Sequence, residues 1–145
     1  MSEVVFPAGR WSEVKLVSLG KYLSAYLAVI MKNFPKARRF YVDLFAGPGV
    51  DEVRPSHKRI DGSPLGALNL KRGAFTDYIF VEENAEYFAA LTDRVRDHPR
   101  VQSVKVMHGD CNELVGQIVR AIPQNAPSFL FVDPKGLDVK WNTIR

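Results

Sequence analysis

Tyr41 to Gly49 reads YVDLFAGPG. An apolar run with one embedded acid, Asp43, breaks at the small-residue segment Ala46-Gly47-Pro48-Gly49. The apolar residues predict a buried strand over 40–45, and the glycines predict a sharp turn directly after it. Glycine has no Cβ, so the backbone can bend tightly and a ligand can approach it closely. At the carboxyl end of a strand, such a turn is where open α/β sheets hold nucleotide-type ligands.

On the amino side, Ser12 is placed to cap a helix running to about Asn33. Leu16, Leu19, Leu23, Tyr26, Leu27 and Ile30 recur there at helical spacing. On the carboxyl side, residues 50–62 (VDEVRPSHKRIDG) are polar and irregular and read as a loop. Ser63-Pro64 reads as a cap and first helical residue, opening a short helix to about Lys71. A second strand is expected over 78–82 and a helix over 85–96, with Phe88, Leu91 and Val95 on one face. A third strand is expected over 103–107, a helix around Leu114, Val115, Ile118 and Ile122, and a fourth strand over 128–132. Strands alternating with helices predict an α/β fold with a mostly parallel sheet and flanking helices, as one domain over 1–145. The sequence stops at Arg145, soon after the fourth strand. Parallel sheets are normally covered by helices on both faces, so the expected domain is C-terminally incomplete.

Composition narrows the class. The chain has 145 residues, 46% of them apolar, and a net charge of +4. That suits one globular domain and permits nucleic-acid contact without arguing for it. No run approaches the roughly 18 apolar residues of a membrane span. The amino-terminal MSEVVFPAGR lacks a signal-peptide core. The single Cys111 fits a reducing compartment. The expectation is a cytoplasmic protein without a membrane segment. His57, His98 and His108 show no ligand spacing, so no metal is expected. Arg54, His57, Lys58 and Arg59, with Lys36, Arg38 and Arg39, can touch nucleic-acid phosphates, although such clusters are more often simply solvated.

All four expected strands end in polar or small residues on one edge of the sheet. After FAGPG come Glu82-Glu83-Asn84, His108-Gly109-Asp110-Cys111 and Asp133-Pro134-Lys135-Gly136. The first turn, with Asp43, Phe45, Ala46, Gly47 and Gly49, can bring backbone N–H groups to a ligand. Glu82 can accept from both hydroxyls of a ribose. Asp110 can accept from an exocyclic amine of adenine, and the main chain around Cys111 can read the same ring. Each residue also has a plainer reading: a tight turn for FAGPG, a helix-leading acid for Glu82, a helix cap for Asp110, a strand-ending turn for Asp133-Pro134. Cys111 as a side chain reads as packing rather than as a nucleophile.

In order and kind this series resembles the class I S-adenosylmethionine-dependent methyltransferases. More narrowly it resembles the three-Cys-motif partner (TcmP) family of bacterial proteins. The matching stretches are YVDLFAGPG, DGSPLGAL at 61–68, FVEEN at 80–84, GDCN at 109–112 and FLFVDPKGLDVKW at 129–141. The resemblance implies a Rossmann-like methyltransferase fold and S-adenosylmethionine as cofactor. It implies a three-Cys-motif protein as a possible partner and gives no substrate; nucleic acid is kept as a possible one. Asp133 and Pro134 would orient the methyl acceptor beside the methyl group, with rate coming from alignment. Two departures are visible. Glu82 follows Asp43 by about twice the ~20 positions of a compact βαβ unit, because of the 50–62 insertion. Amine-directed methyltransferases follow Asp-Pro with another Pro and an aromatic ring, where this chain has Lys135 and Gly136. A non-catalytic module with an S-adenosylmethionine-type cleft or a protein partner is the alternative. A nicotinamide-dependent oxidoreductase would need GxGxxG where Val50-Asp51-Glu52 follow the turn.

Overall fold

The computed structural model describes residues 3–134. A short strand, β1 (Phe6–Ala8), precedes a long helix, α1 (Arg10–Asn33). β2 (Phe40–Asp43), β3 (Val50–Val53) and β4 (Lys58–Asp61) follow. α2 (Ser63–Leu68) leads to β5 (Asp77–Glu82), α3 (Ala85–Arg96) and β6 (Val104–His108). α4 (Cys111–Ala121) and β7 (Ser128–Phe131) complete the described chain.

β2, β5, β6 and β7 form an all-parallel sheet in the order β6-β5-β2-β7. Alternation along β2 decides which helices cover which face. Tyr41 points to a core built with Leu23 and Leu27 of α1, Leu65 and Leu68 of α2, and Leu91 and Val95 of α3. Phe40 and Val42 point the other way, to a core with Cys111 and Ile118 of α4. The architecture is therefore α/β with helices on both faces, compatible with a Rossmann-like fold. The larger core is aromatic: Tyr41 meets Phe75, Tyr78, Phe80 and Phe129 at centroid distances of 5.4–6.3 Å. The chain leaves β2 on one side for β5 and β6 and returns on the other side for β7. The strand order thus reverses between β2 and β7, which opens a crevice at their carboxyl ends.

The structure corrects three local expectations. Residues 50–61 are a β-hairpin rather than a loop: β3 pairs antiparallel with β4, and β1 adds in parallel on the other side of β3. Glu52 sits at the hub of its ion pairs, with His57 at 2.9 Å, Arg54 at 3.6 Å and Arg59 at 3.7 Å. The His57 hydrogen bond, with the charges of Arg54 and Arg59, holds the Glu52 carboxyl below its usual range. Lys58 pairs with Glu13 and Arg59 also with Glu3. Arg54, His57, Lys58 and Arg59 thus each have a carboxylate partner within the chain while their side chains stay largely exposed. The second correction is the start of α1, where Gly9 rather than Ser12 is the N-cap. In the third, Ser63 is the first residue of α2 and Gly62 its cap, because the Ser63 hydroxyl is committed to Asp43.

By length and composition alone α1 would also span a bilayer, which the run-length reading of the sequence did not register. In the fold its Leu23 and Leu27 are buried in the core. The expected C-terminal incompleteness concerns residues beyond 134, and Lys135 and Gly136 lie outside the described residues.

Candidate functional site

The glycine turn is built from below by Asp43. Its carboxylate is fully buried and accepts hydrogen bonds from the Ser63 hydroxyl, from the Tyr41 hydroxyl (3.2 Å) and from the Phe45 N–H (3.3 Å). Burial first, and then the Asp43 charge, push the Tyr41 phenol well above its ordinary pKa, so it stays a donor. Ala46 is buried and donates its N–H to the Val81 carbonyl. Gly47 and Gly49 both have positive φ, 73° and 95°. A Cβ on Gly49 would lie 3.2 Å from Leu91 Cδ1, a tight contact added to the strain that its positive φ would impose on any other residue. Arg94 of α3 clamps the turn from outside, donating to the Pro48 carbonyl at 2.7 Å.

Glu82 joins two turns. Its Oε1 accepts from the Gly47 N–H at 2.7 Å and its Oε2 from the Asn84 N–H at 2.8 Å. A carboxylate has about four lone-pair sites, so each oxygen keeps one for a ligand hydroxyl. Asp110 caps α4, and Asn112 N and Nδ2 both bond to its Oδ1. Its Oδ2 takes no partner among the described residues. The cap reading of Asp110 therefore holds for one oxygen, and the other remains available.

These groups line a cleft of about 440 Å³ at the carboxyl edge of the sheet, with Phe45, Glu82, Asp110 and Cys111 on its walls. The structure thus brings together four of the residues picked out from the sequence. Asp43, Ala46, Gly47 and Gly49 stand behind the wall, shaping it without lining it. Leu44, Phe6 and Tyr87 also line the cleft. Phe6 comes from β1 and meets Tyr87 edge-on, at 6.1 Å and 74°. No local signal announces Phe6, since its strand has three residues and contains a proline. Tyr87 lies in the first turn of α3, the position a helix after strand two would turn toward a ligand.

Charge decides what the cleft can take. Among the described residues its lining includes three carboxylates, from Glu82, Glu83 and Asp110, and no Lys, Arg or His. A phosphate-bearing ligand would meet like charge there, whereas a cationic ligand with hydroxyls would be favoured. Cys111 is 3% exposed. Burial, and then the charges of Asp110 and Glu83, raise its thiol pKa. It is therefore a packed thiol, and alkylation by iodoacetamide should run at least about tenfold slower in the folded chain than in urea. Equal rates would show an open, reactive thiol.

Asp133 and Pro134 line a different, adjoining cavity of about 220 Å³. Asp133 Oδ2 pairs with Lys15 of α1 at 2.7 Å. Their side chains are 50% and 31% exposed, so this pair is worth at most about 1 kcal/mol. Among the described residues no cluster of His, Cys, Asp and Glu could hold a metal ion. The chain matches no family model, and no curated protein is detectably similar to it.

Proposed function

We propose that this chain is an S-adenosylmethionine-dependent methyltransferase, of the three-Cys-motif partner type that its motifs resemble. The observation that carries the reading is the acid-lined cleft beside a glycine turn at the carboxyl edge of a parallel sheet. S-adenosylmethionine has no phosphate, bears a sulfonium and an ammonium, and carries a ribose diol. Each of these matches what the lining offers. Glu82 would hold the ribose through its two remaining lone pairs. Asp110 Oδ2 would accept from the adenine amine, with Cys111 and Phe45 against the ring. The cofactor supplies an activated methyl group; the chain's own residues bind, align and exclude water.

A nicotinamide cofactor fits poorly, because its pyrophosphate would face Glu82, Glu83 and Asp110. The alternative of a non-catalytic module draws support from Lys15, which already occupies one oxygen of Asp133. Calorimetric titration with S-adenosylmethionine and S-adenosylhomocysteine tests the reading, with NADH as competitor. Saturable binding of the first two, unaffected by NADH, is the expected result. No binding to a demonstrably folded chain, or displacement by NADH, would sink it.

A further inference from the structure

A further cavity, of about 230 Å³, lies between α1 and the segment where β4 passes into α2. Its walls are mainly apolar, from Leu16, Leu19 and Leu23 of α1 and Ile60 of β4. Two glycines line it, Gly20 of α1 and Gly66 of α2. Both lie inside helices, and neither has a positive φ. A Cβ built on either meets no atom within 4 Å among the described residues. Glycine inside a helix is less stable than alanine. Neither backbone conformation nor packing within the described chain accounts for the two glycines, whereas a guest in the cavity does.

Two carboxylates stand at the exposed edge of the cavity, those of Glu13 and Asp61. Glu13 Oε2 accepts from Lys58 Nζ at 2.7 Å, and Asp61 Oδ2 accepts from Asn69 Nδ2 at 3.0 Å. The second oxygen of each takes no hydrogen bond among the described residues. Two carboxylates against the one ammonium of Lys58 leave this edge negative.

We propose that this cavity is a binding site for a compact apolar amine, with one ring or a short branched chain inside and the ammonium at the Glu13 and Asp61 carboxylates. An apolar cavity of about 150 Å³ holds a benzene ring, so this one has room for a ring and a short arm. The apolar body gains by leaving water. The ammonium meets opposite charge at the edge, where an acid of the same shape would meet like charge. The cavity shares no wall residue with the Glu82 cleft, and it contains neither Asp133 nor Pro134. Gly62 and Ser63 close it toward the glycine turn, donating to the Gly49 carbonyl at 2.8 Å and to the Asp43 carboxylate. The inference does not rest on the methyltransferase reading.

The test uses the full chain and follows phenethylamine and phenylacetate, a base and an acid of nearly the same shape, by NMR titration. Phenethylamine should shift the amides of Gly20 and Gly66 and bind about tenfold more tightly than phenylacetate, since the amine gains an exposed ion pair and the acid is repelled. Glu13→Gln combined with Asp61→Asn should erase that preference. Gly66→Leu, which fills the space, should abolish binding without lowering the thermal midpoint. Gly20→Ala should raise the midpoint by about 2–4 °C, because alanine is the better helix former and its methyl enters open space. Shifts confined to Glu82 and Asp110 would assign the amine to the acidic cleft and overturn the proposal. No binding, equal binding of amine and acid, a preference that survives the double variant, or binding that survives Gly66→Leu also overturns it. A lower midpoint in Gly66→Leu would mean that the space is not there, with the same consequence.

Discussion

Glu82→Ala is expected to weaken S-adenosylmethionine binding about a hundredfold in calorimetric titration. The carboxylate would accept two ribose hydroxyls, and hydrogen bonds to a charged group are worth about 1.5–3 kcal/mol each. Even the lower figure for both exceeds the ~2.7 kcal/mol of a hundredfold change. Of the two N–H groups it releases, that of Asn84 lies on the cleft wall, where water can replace the carboxylate, whereas that of Gly47 lies buried behind the wall, so the variant's thermal midpoint is measured alongside its affinity. Glu82→Gln gives a sharper reading. An amide can serve only one of those two N–H groups as an acceptor, and turns a donor toward the other. An intermediate loss of about tenfold is therefore expected, on the scale of one such hydrogen bond. Undiminished affinity in the Ala variant would place the ribose elsewhere and remove Glu82 from the site.

Asp43→Ala should be the most damaging single change to stability, by about 3–5 kcal/mol. Three donors converge on the carboxylate, from Tyr41, Ser63 and Phe45, and the carboxylate is fully buried. Each buried donor left without a partner costs about 1–3 kcal/mol. For a domain of this length the midpoint of thermal unfolding should fall by about 10–15 °C. Asp43→Asn keeps the shape but sets an amide donor against the hydroxyl donors, so a smaller loss is expected. A midpoint within a few degrees of the parent for Asp43→Ala would mean that the three donors find water or each other. The supporting role of Asp43 under the turn would then have to be abandoned.

Much of this fold could be read from the sequence, for a physical reason. β2, β5, β6 and β7 are short apolar runs bounded by polar residues, as strands in a covered parallel sheet must be. α3 runs from Ala85 to Arg96, as its periodicity predicts. The hairpin could not be read in this way. In β3 the buried positions are Asp51 and Val53, and in β4 every residue is at least partly exposed. A charged residue in a buried strand position defeats the apolar alternation that identifies strands. What holds the hairpin is backbone pairing and the ion pairs around Glu52, and neither is written in a hydrophobic pattern. The site was legible where it follows strand ends: Phe45, Glu82, Asp110 and Cys111. Phe6 and Asp51 were not, because they come from short strands with no apolar pattern, and Lys15 was not, because the periodicity that predicts its helix says nothing about which strand end its charge would meet. Lys15 and Asp133 lie near opposite ends of the described chain, and only the folded sheet brings them together.

The strand order also imposes a sequence of assembly. β2 pairs with β5, and β5 with β6, across modest stretches of intervening chain. The β2–β7 pairing joins residues more than twice as far apart in sequence as the β2–β5 pairing. Closing a longer loop costs more entropy before any contact offsets it, so distant pairings form late. The Glu82 cleft takes most of its wall from β2, β5, β6 and the turns after them, and that wall can take shape during early consolidation. The Asp133 cavity has to wait for β7 to dock and for Lys15 to meet it. A chain caught between those two stages would carry a nearly finished ligand cleft beside an unfinished neighbour.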